Sequence, residues 1–169
     1  MGPSGEVLFT GENIRAGQSV FLKYALMENG TIWGHGAYLG PDFSASYLHS
    51  EAVYARQALA QKGFETGWKD LNKSQQEMVN QEVRHLLKQN RYDAKTHTLT
   101  FTRIEKDAYL KQIDQWSHYF QGPAKTGGLP KKFIQNHREL RNLTGFFAWA
   151  AWASVAQRPG KSFSYTNNF

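Results

Sequence analysis

The sequence predicts a mainly α-helical domain of about five helices with one small β element. Along most of the 169 residues, apolar side chains recur at intervals of three and four positions, which is the spacing of amphipathic helices. Only one short segment alternates polar and apolar residues as a strand does. The length suits one domain, and no repeat or low-complexity tract divides the chain. We therefore expect a single domain over residues 1–169.

The first two predicted helices enclose a glycine-rich loop. Helical spacing of apolar residues predicts a first helix over residues 12–27. Residues 29–42 contain four glycines and a proline, a composition typical of a loop. A regular apolar stripe begins near Ser44 and continues to Gly63, where we expect the second helix to stop.

The third helix and the β element follow. The third helix is expected to begin at Asn72 or Ser74, because Ser74 to Glu77 has the pattern of a capping box. Residues 98–102 alternate threonine with apolar residues and predict a strand. Residues 7–9 are the candidate partner of that strand.

The last two helices are predicted over residues 105–120, ended by Gly122 and Pro123, and over 136–157. The second half of the fifth helix is apolar on every side, with bulky residues at Phe146, Phe147, Trp149, Trp152 and Val155. A helix of this kind is buried all round. It is therefore either the central helix of the domain or the contact for a second partner.

Composition limits the classes of function. The chain carries a net charge of +6, but its lysines and arginines are scattered, and we expect no nucleic-acid partner. Aromatic residues make up 14% of the chain, a proportion that suits an interface as well as a core. There is no cysteine, which excludes disulfides, thiolate metal sites and thioether-linked haem.

No catalytic group or metal site is expected. No pair of histidines has a zinc-binding spacing, and the chain has neither a nucleophile elbow nor a phosphate-binding loop. His35 stands out because Gly34 and Gly36 flank it, although a tight turn explains that pattern equally well. The histidines are His35, His49, His85, His97, His118 and His137.

Five segments carry a resemblance to a known family. Residues 11–21 run into the sequence GHGAYLGPDF at 34–43, and the aromatic segment 146–152 is followed by Arg-Pro-Gly at 158–160 and Tyr-Thr-Asn-Asn-Phe at 165–169. This combination resembles the N-terminal extracytoplasmic region of quinol-dependent, single-subunit nitric oxide reductases. The resemblance implies a cytochrome-c-like helical domain that is a fragment of a larger membrane protein.

The same resemblance implies that the domain has lost its haem. In the two-subunit relatives, a Cys-x-x-Cys-His motif precedes a loop similar to residues 34–42. Superposing the loops places the two cysteines and the histidine of that motif at Leu26, Asn29 and Gly30, none of which can hold haem c. We expect no cofactor in this chain. Bulky side chains should fill the vacated space, and the candidates are Leu26, Met27, Ile32, Trp33, Tyr38 and Leu39.

The resemblance also implies the rest of the assembly. The parent enzyme would hold haem b and non-haem iron in a membrane-embedded part, take electrons from quinol, and convert two NO with two electrons and two protons to N2O and water. This domain would lie on the outer face of the bacterial cytoplasmic membrane and carry none of the catalysis. The residues expected to contact the membrane-embedded part of the same polypeptide are Trp149, Trp152, Arg158, Tyr165, Asn167 and Asn168.

Two other functions stay open from the residues alone. The glycine-rich loop and the surrounding aromatic residues could form an apolar pocket for a small ligand or a quinone. Net positive charge together with aromatic residues would also suit a nucleic-acid-binding domain, which we do not expect.

Overall fold

The structure is a computed structural model that describes residues 1–122 and 127–164. It contains five α-helices, two short 3-10 turns and two small antiparallel hairpins, so the predicted class, mainly α with a small β element, is confirmed. The helices are α1 (Gly11–Lys23), α2 (Phe43–Phe64), α3 (Lys73–Lys88), α4 (Arg103–Gln121) and α5 (His137–Val155). The strands are β1 (Thr31–Ile32), β2 (His35–Gly36), β3 (Tyr92–Asp93) and β4 (Thr98–Leu99).

A polar side chain caps the start of every one of these helices. The caps of α1, α3 and α4 are reciprocal capping boxes, in which the cap side chain and the side chain three residues later each accept a backbone N–H. The box of α3 joins Asn72 to Gln75, so the predicted box from Ser74 to Glu77 was wrong by two positions. The five cap residues are Thr10, Asp42, Asn72, Thr102 and Asn136.

Helix α1 is shorter than its apolar pattern predicted. The α-helix ends at Lys23, and Ala25 then takes a left-handed conformation with φ of 49°. A left-handed residue reverses the chain direction and ends the helical hydrogen-bond ladder. The next residues, Leu26–Glu28, form a 3-10 turn rather than the last turn of α1.

The predicted strand near residue 98 exists, but its predicted partner was wrong. Strand β4 pairs with β3 in a tight hairpin, with Tyr92 opposite Leu99 and Asp93 opposite Thr98. Residues 7–9 form no strand, and the Phe9 ring instead packs on the Phe101 and Tyr109 rings. The glycine-rich loop also contains a hairpin, β1 with β2, that was not predicted.

Helix α5 is the central helix of the domain and packs against α1, α2, α3 and α4. Its closest neighbour is α1, where Gly17 lies against the Asn142 carbonyl and Phe146. The absence of a side chain at Gly17 allows this approach. The all-round apolar half of α5 is therefore buried mainly within the domain, as the first of the two predicted alternatives stated.

A cluster of stacked aromatic rings fills the core. The Phe43 and Phe147 rings lie 4.9 Å apart and almost parallel, and Trp116 packs edge-on to Phe147 at 5.0 Å. Among the six candidates for filling the haem space, Leu26 is fully buried and Ile32 packs partly buried against the core. The other four were wrong, because exposed side chains cannot fill an interior: Met27, Trp33, Tyr38 and Leu39 are 41–84% exposed.

Within the described residues, none of the helices combines the length and the apolar character needed to span a bilayer.

Candidate interaction face and the glycine-rich loop

Asp42 organises the glycine-rich loop. One carboxylate oxygen accepts hydrogen bonds from the Thr31 hydroxyl and the Gly34 backbone N–H, both at 2.7 Å. The other accepts from the Ser44 hydroxyl at 2.5 Å and from the Ala45 backbone N–H at 2.8 Å. The same side chain thus caps α2 and anchors the β1–β2 hairpin.

These hydrogen bonds also keep Asp42 ionised. Partial burial acts to raise the pKa of the Asp42 carboxyl, but the four donors outweigh burial and leave the pKa below its ordinary value. A carboxylate with both oxygens occupied by its own loop has a structural role. It is not placed to act as a general base.

The three positions that correspond to a haem-c motif are built into the fold. Leu26 is fully buried in the main core. Asn29 is 5% exposed, and its amide donates to the Gly127 carbonyl at 2.7 Å. Gly30 lies against the Pro41 carbonyl and the Phe43 ring, so that even a Cβ atom would overlap them.

A thioether-linked haem does not fit these residues. No cysteine is present to form the thioether bonds. At Gly30 there is no room for an imidazole, because the Phe43 ring stands where the side chain would begin. Among the described residues, no cluster of three or more metal-ligating side chains is present either.

The strongest candidate for an interaction surface is an aromatic face on one side of the domain. We define the aromatic face as Val7, Trp33, Tyr92, Trp149 and Trp152. All but Trp33 line one open, mostly apolar pocket of about 430 Å³, and the Trp33 ring lies 5.7 Å from the Trp149 ring. Trp149 and Trp152 are half-buried, whereas Val7, Trp33 and Tyr92 are 64%, 47% and 41% exposed.

A hydrogen bond fixes Trp33 at the edge of this face. The indole N–H of Trp33 donates to the Ala150 carbonyl at 2.8 Å, which ties the loop to α5. On the other side of Trp33 lies a second pocket, of about 530 Å³, lined by Trp33, His35, Asp42, Ser44, Ala45, Leu48 and Ser154. The loop is therefore held between the aromatic face and this pocket.

A buried group of charges lies apart from both pockets. Arg91 forms a buried ion pair with Glu105, and Glu51 of α2 is buried near them. Burial and the nearby Glu105 carboxylate raise the pKa of Glu51 to about 8, against the lowering effect of Arg91. Two carboxyl groups share one guanidinium, so Glu51 keeps its proton at neutral pH.

The other residues predicted to contact a membrane part are partly described. Arg158 is half-buried in the turn after α5, where its backbone N–H donates to the Phe163 carbonyl at 2.9 Å. Tyr165, Asn167 and Asn168 lie outside the described residues. No interaction partner is present, so the contact itself stays a prediction.

Sequence reasoning missed three features of this region. Asp42 was considered only as an isolated acid, although its position directly before a helix signals a cap. The buried charges of Glu51 and Glu105 had no local signal, since burial depends on packing between helices. Trp33 was assigned to the interior, but half of it lies on the surface.

The comparisons with known proteins identify the family. A family model for the cytochrome c-like domain of NorB, the B-type component of nitric oxide reductase, matches residues 1–169, the whole of the chain. No curated protein matches it. The predicted resemblance is thereby supported at the level of nitric oxide reductase, without distinguishing the quinol-dependent type. The chain belongs to the family of NorB cytochrome c-like domains of nitric oxide reductase.

Proposed function

We propose that this chain is a haem-free structural and interaction domain of a quinol-oxidising nitric oxide reductase, packed on the membrane-embedded catalytic part of the same polypeptide. The observation that carries the haem-free assignment is the contact of Gly30 with Pro41 and Phe43. Together with the absence of cysteine, it leaves haem c neither attachment nor a proximal ligand.

Haem addition tests this assignment directly. The purified chain, mixed with haem in the presence and absence of a cytochrome c maturation system, should develop no Soret band beyond that of free haem. An apocytochrome c carrying an intact Cys-x-x-Cys-His motif is the positive control. A stoichiometric, tightly bound haem would contradict the proposal.

The aromatic face supports an interaction with the membrane-embedded part. A contiguous surface of exposed and half-buried aromatic residues is typical of protein interfaces, in which tryptophan and tyrosine are enriched. We propose that Trp149 and Trp152 belong to this contact, joined by Arg158 and, beyond the described residues, by Tyr165, Asn167 and Asn168. The catalytic haem b and non-haem iron would belong to the partner.

A cysteine-free chain permits a simple test of this contact. Val7→Cys and the matched control Val53→Cys each introduce one thiol at an exposed valine, on the aromatic face and on α2 respectively. In the isolated domain, maleimide should react with both. In the assembly with the membrane-embedded part, position 7 should become protected and position 53 should not. Equal reactivity of position 7 in both states would exclude the aromatic face as the contact.

Quinol as the electron donor and an extracytoplasmic location complete the proposal. A domain without haem c cannot relay electrons from a soluble cytochrome, so electrons would come from a donor in the membrane. The reductase containing this domain should therefore produce N2O from NO with a quinol alone. Turnover that requires reduced cytochrome c would overturn this assignment. Protease added outside sealed spheroplasts should cleave the domain, whereas resistance that detergent removes would place it inside.

A second candidate function is a small-ligand or quinone-binding module. The pocket of about 530 Å³ beside Trp33 and Leu48 favours it, because its size and mostly apolar lining suit a small aromatic ligand. Titration with a soluble quinone analogue, followed by tryptophan fluorescence, separates the two functions. Saturable quenching that Trp33→Phe abolishes would support the module, and no response would support the structural role.

A further inference from the structure

One face of α3 carries a stripe of basic and polar residues. Arg84, His85 and Lys88 follow Gln81 at helical intervals of three and four, so these side chains lie on one side of α3. With Gln89 and Gln157 they line a polar pocket of about 300 Å³. On this helix face the next acid is Glu77, one turn earlier, and it accepts a hydrogen bond from Gln81 at 3.3 Å.

The turn after α5 brings two more cations to the same place. The Gln157 N–H donates to the Lys88 carbonyl at 2.9 Å, and the Lys88 ammonium donates to the Ser164 hydroxyl at 3.0 Å. Residues 157–164, including Arg158 and Lys161, are therefore held against the end of α3. We define the basic patch as Arg84, His85, Lys88, Arg158 and Lys161.

The helix dipole accounts for only part of the basic patch. Basic residues in the last turn of a helix are favourable, which explains His85 and Lys88 on α3. It does not explain why a separate segment adds Arg158 and Lys161, since like charges repel. Within residues 1–122 and 127–164, neither Arg84 nor Lys161 forms an ion pair. An anion at this surface would offset the repulsion.

The surroundings of the patch indicate which anion. Phe163, 49% exposed, stands within the turn that carries Arg158 and Lys161. The patch also adjoins the aromatic face, because Trp152 lies in the last turn of α5 and Tyr92 follows Lys88 closely in the chain. Cations beside exposed aromatic rings suit the interface of a bilayer, where phosphates meet acyl chains.

We propose that the basic patch binds the headgroups of anionic phospholipids and orients the domain on a membrane surface. The proposal relies on the proposed function only for placing a membrane beside the domain. Binding to lipid vesicles can be measured on the 169-residue chain alone. A negative result would therefore leave the haem and docking tests unaffected.

Sedimentation with vesicles tests the proposal. The chain should bind vesicles of about 30 mol% phosphatidylglycerol in phosphatidylcholine at low salt, and not vesicles of pure phosphatidylcholine. Arg84→Glu/Lys161→Glu should lower the partition coefficient at least about tenfold. The control Lys62→Glu/Lys73→Glu makes the same change of charge at exposed lysines on α2 and at the start of α3, and should keep most of the binding.

Two results would overturn the proposal, provided that both double variants melt near the parent temperature. One is an equal loss of binding in the two double variants, which would show that only net charge matters. The other is no binding to the anionic vesicles together with salt-sensitive binding to duplex DNA that the patch variant loses. That outcome would assign the patch to nucleic acid instead.

Discussion

At the scale of single residues, two helical glycines have opposite surroundings. A Cβ atom at Gly17 would overlap the Asn142 carbonyl and the Cβ of Phe146, because α1 and α5 meet at that point. At Gly63, near the end of α2, nothing lies within 4 Å. The first glycine is needed for packing, whereas the second only weakens its helix.

We therefore expect Gly17→Ala to lower the free energy of unfolding by about 1–3 kcal/mol, the usual cost of overpacking. Gly63→Ala should raise it by about 0.5–1 kcal/mol, because alanine has the higher helix propensity. Urea denaturation of both variants measures the two effects. Equal effects of the same sign would contradict the close contact of α1 with α5.

The buried acid Glu51 should make stability depend on pH. Its pKa is about 8 in the folded protein, and the unfolded chain has an ordinary value near 4.5. Between these values the folded state keeps a proton that the unfolded state has released. Stability therefore falls as pH rises from about 4.5 to about 8, with a limiting slope of roughly 1.4 kcal/mol per pH unit.

Glu51→Gln should remove this slope, because glutamine has a similar shape and does not ionise. The free energy of unfolding of the variant relative to the parent should rise by at least about 1 kcal/mol between pH 5 and pH 8. Glu28→Gln, at an exposed position, is the control and should follow the parent. A parallel pH profile for Glu51→Gln would show that Glu51 is ionised in the fold.

At the scale of elements, Asp42 joins a helix to a loop. Its four hydrogen bonds serve α2 and the β1–β2 hairpin together. Asn72, by comparison, caps only α3. Asp42→Ala should cost about 2–4 kcal/mol, since it removes a cap and charge-assisted bonds to the loop, and Asn72→Ala about 1 kcal/mol. Thermal denaturation compares the two, and similar losses would reduce Asp42 to an ordinary cap.

The elements also show how far local pattern leads. All five helices were predicted from spacing and capping residues, because a helix is stabilised by neighbours three and four positions apart. The partner of β4 was not, since strand pairing depends on where the chain turns. Asp93 fixes that turn by accepting hydrogen bonds from the Lys95 backbone N–H and the Thr96 hydroxyl.

At the scale of the whole molecule, the aromatic face should matter for assembly and not for folding. Val7→Lys places a charge at a side chain that is 64% exposed, so stability should change by no more than about 0.5 kcal/mol. Co-purification with the membrane-embedded part should nevertheless decrease severalfold, because a charge in an apolar contact must lose its water. Val53→Lys, the matched change on α2, should leave co-purification unchanged, and equal losses would exclude the face.

The sequence by itself determined the helical class, the helix starts to within a few residues and the absence of thioether-linked haem, because spacing, capping and cysteine content are local properties. Tertiary structure alone decided which side chains fill the core. Met27, Trp33, Tyr38 and Leu39 neighbour the vacated motif in sequence yet stand exposed, whereas Phe43, Trp116 and Phe147 meet from three different helices. Burial depends on the close packing of distant segments, and local sequence does not carry that information.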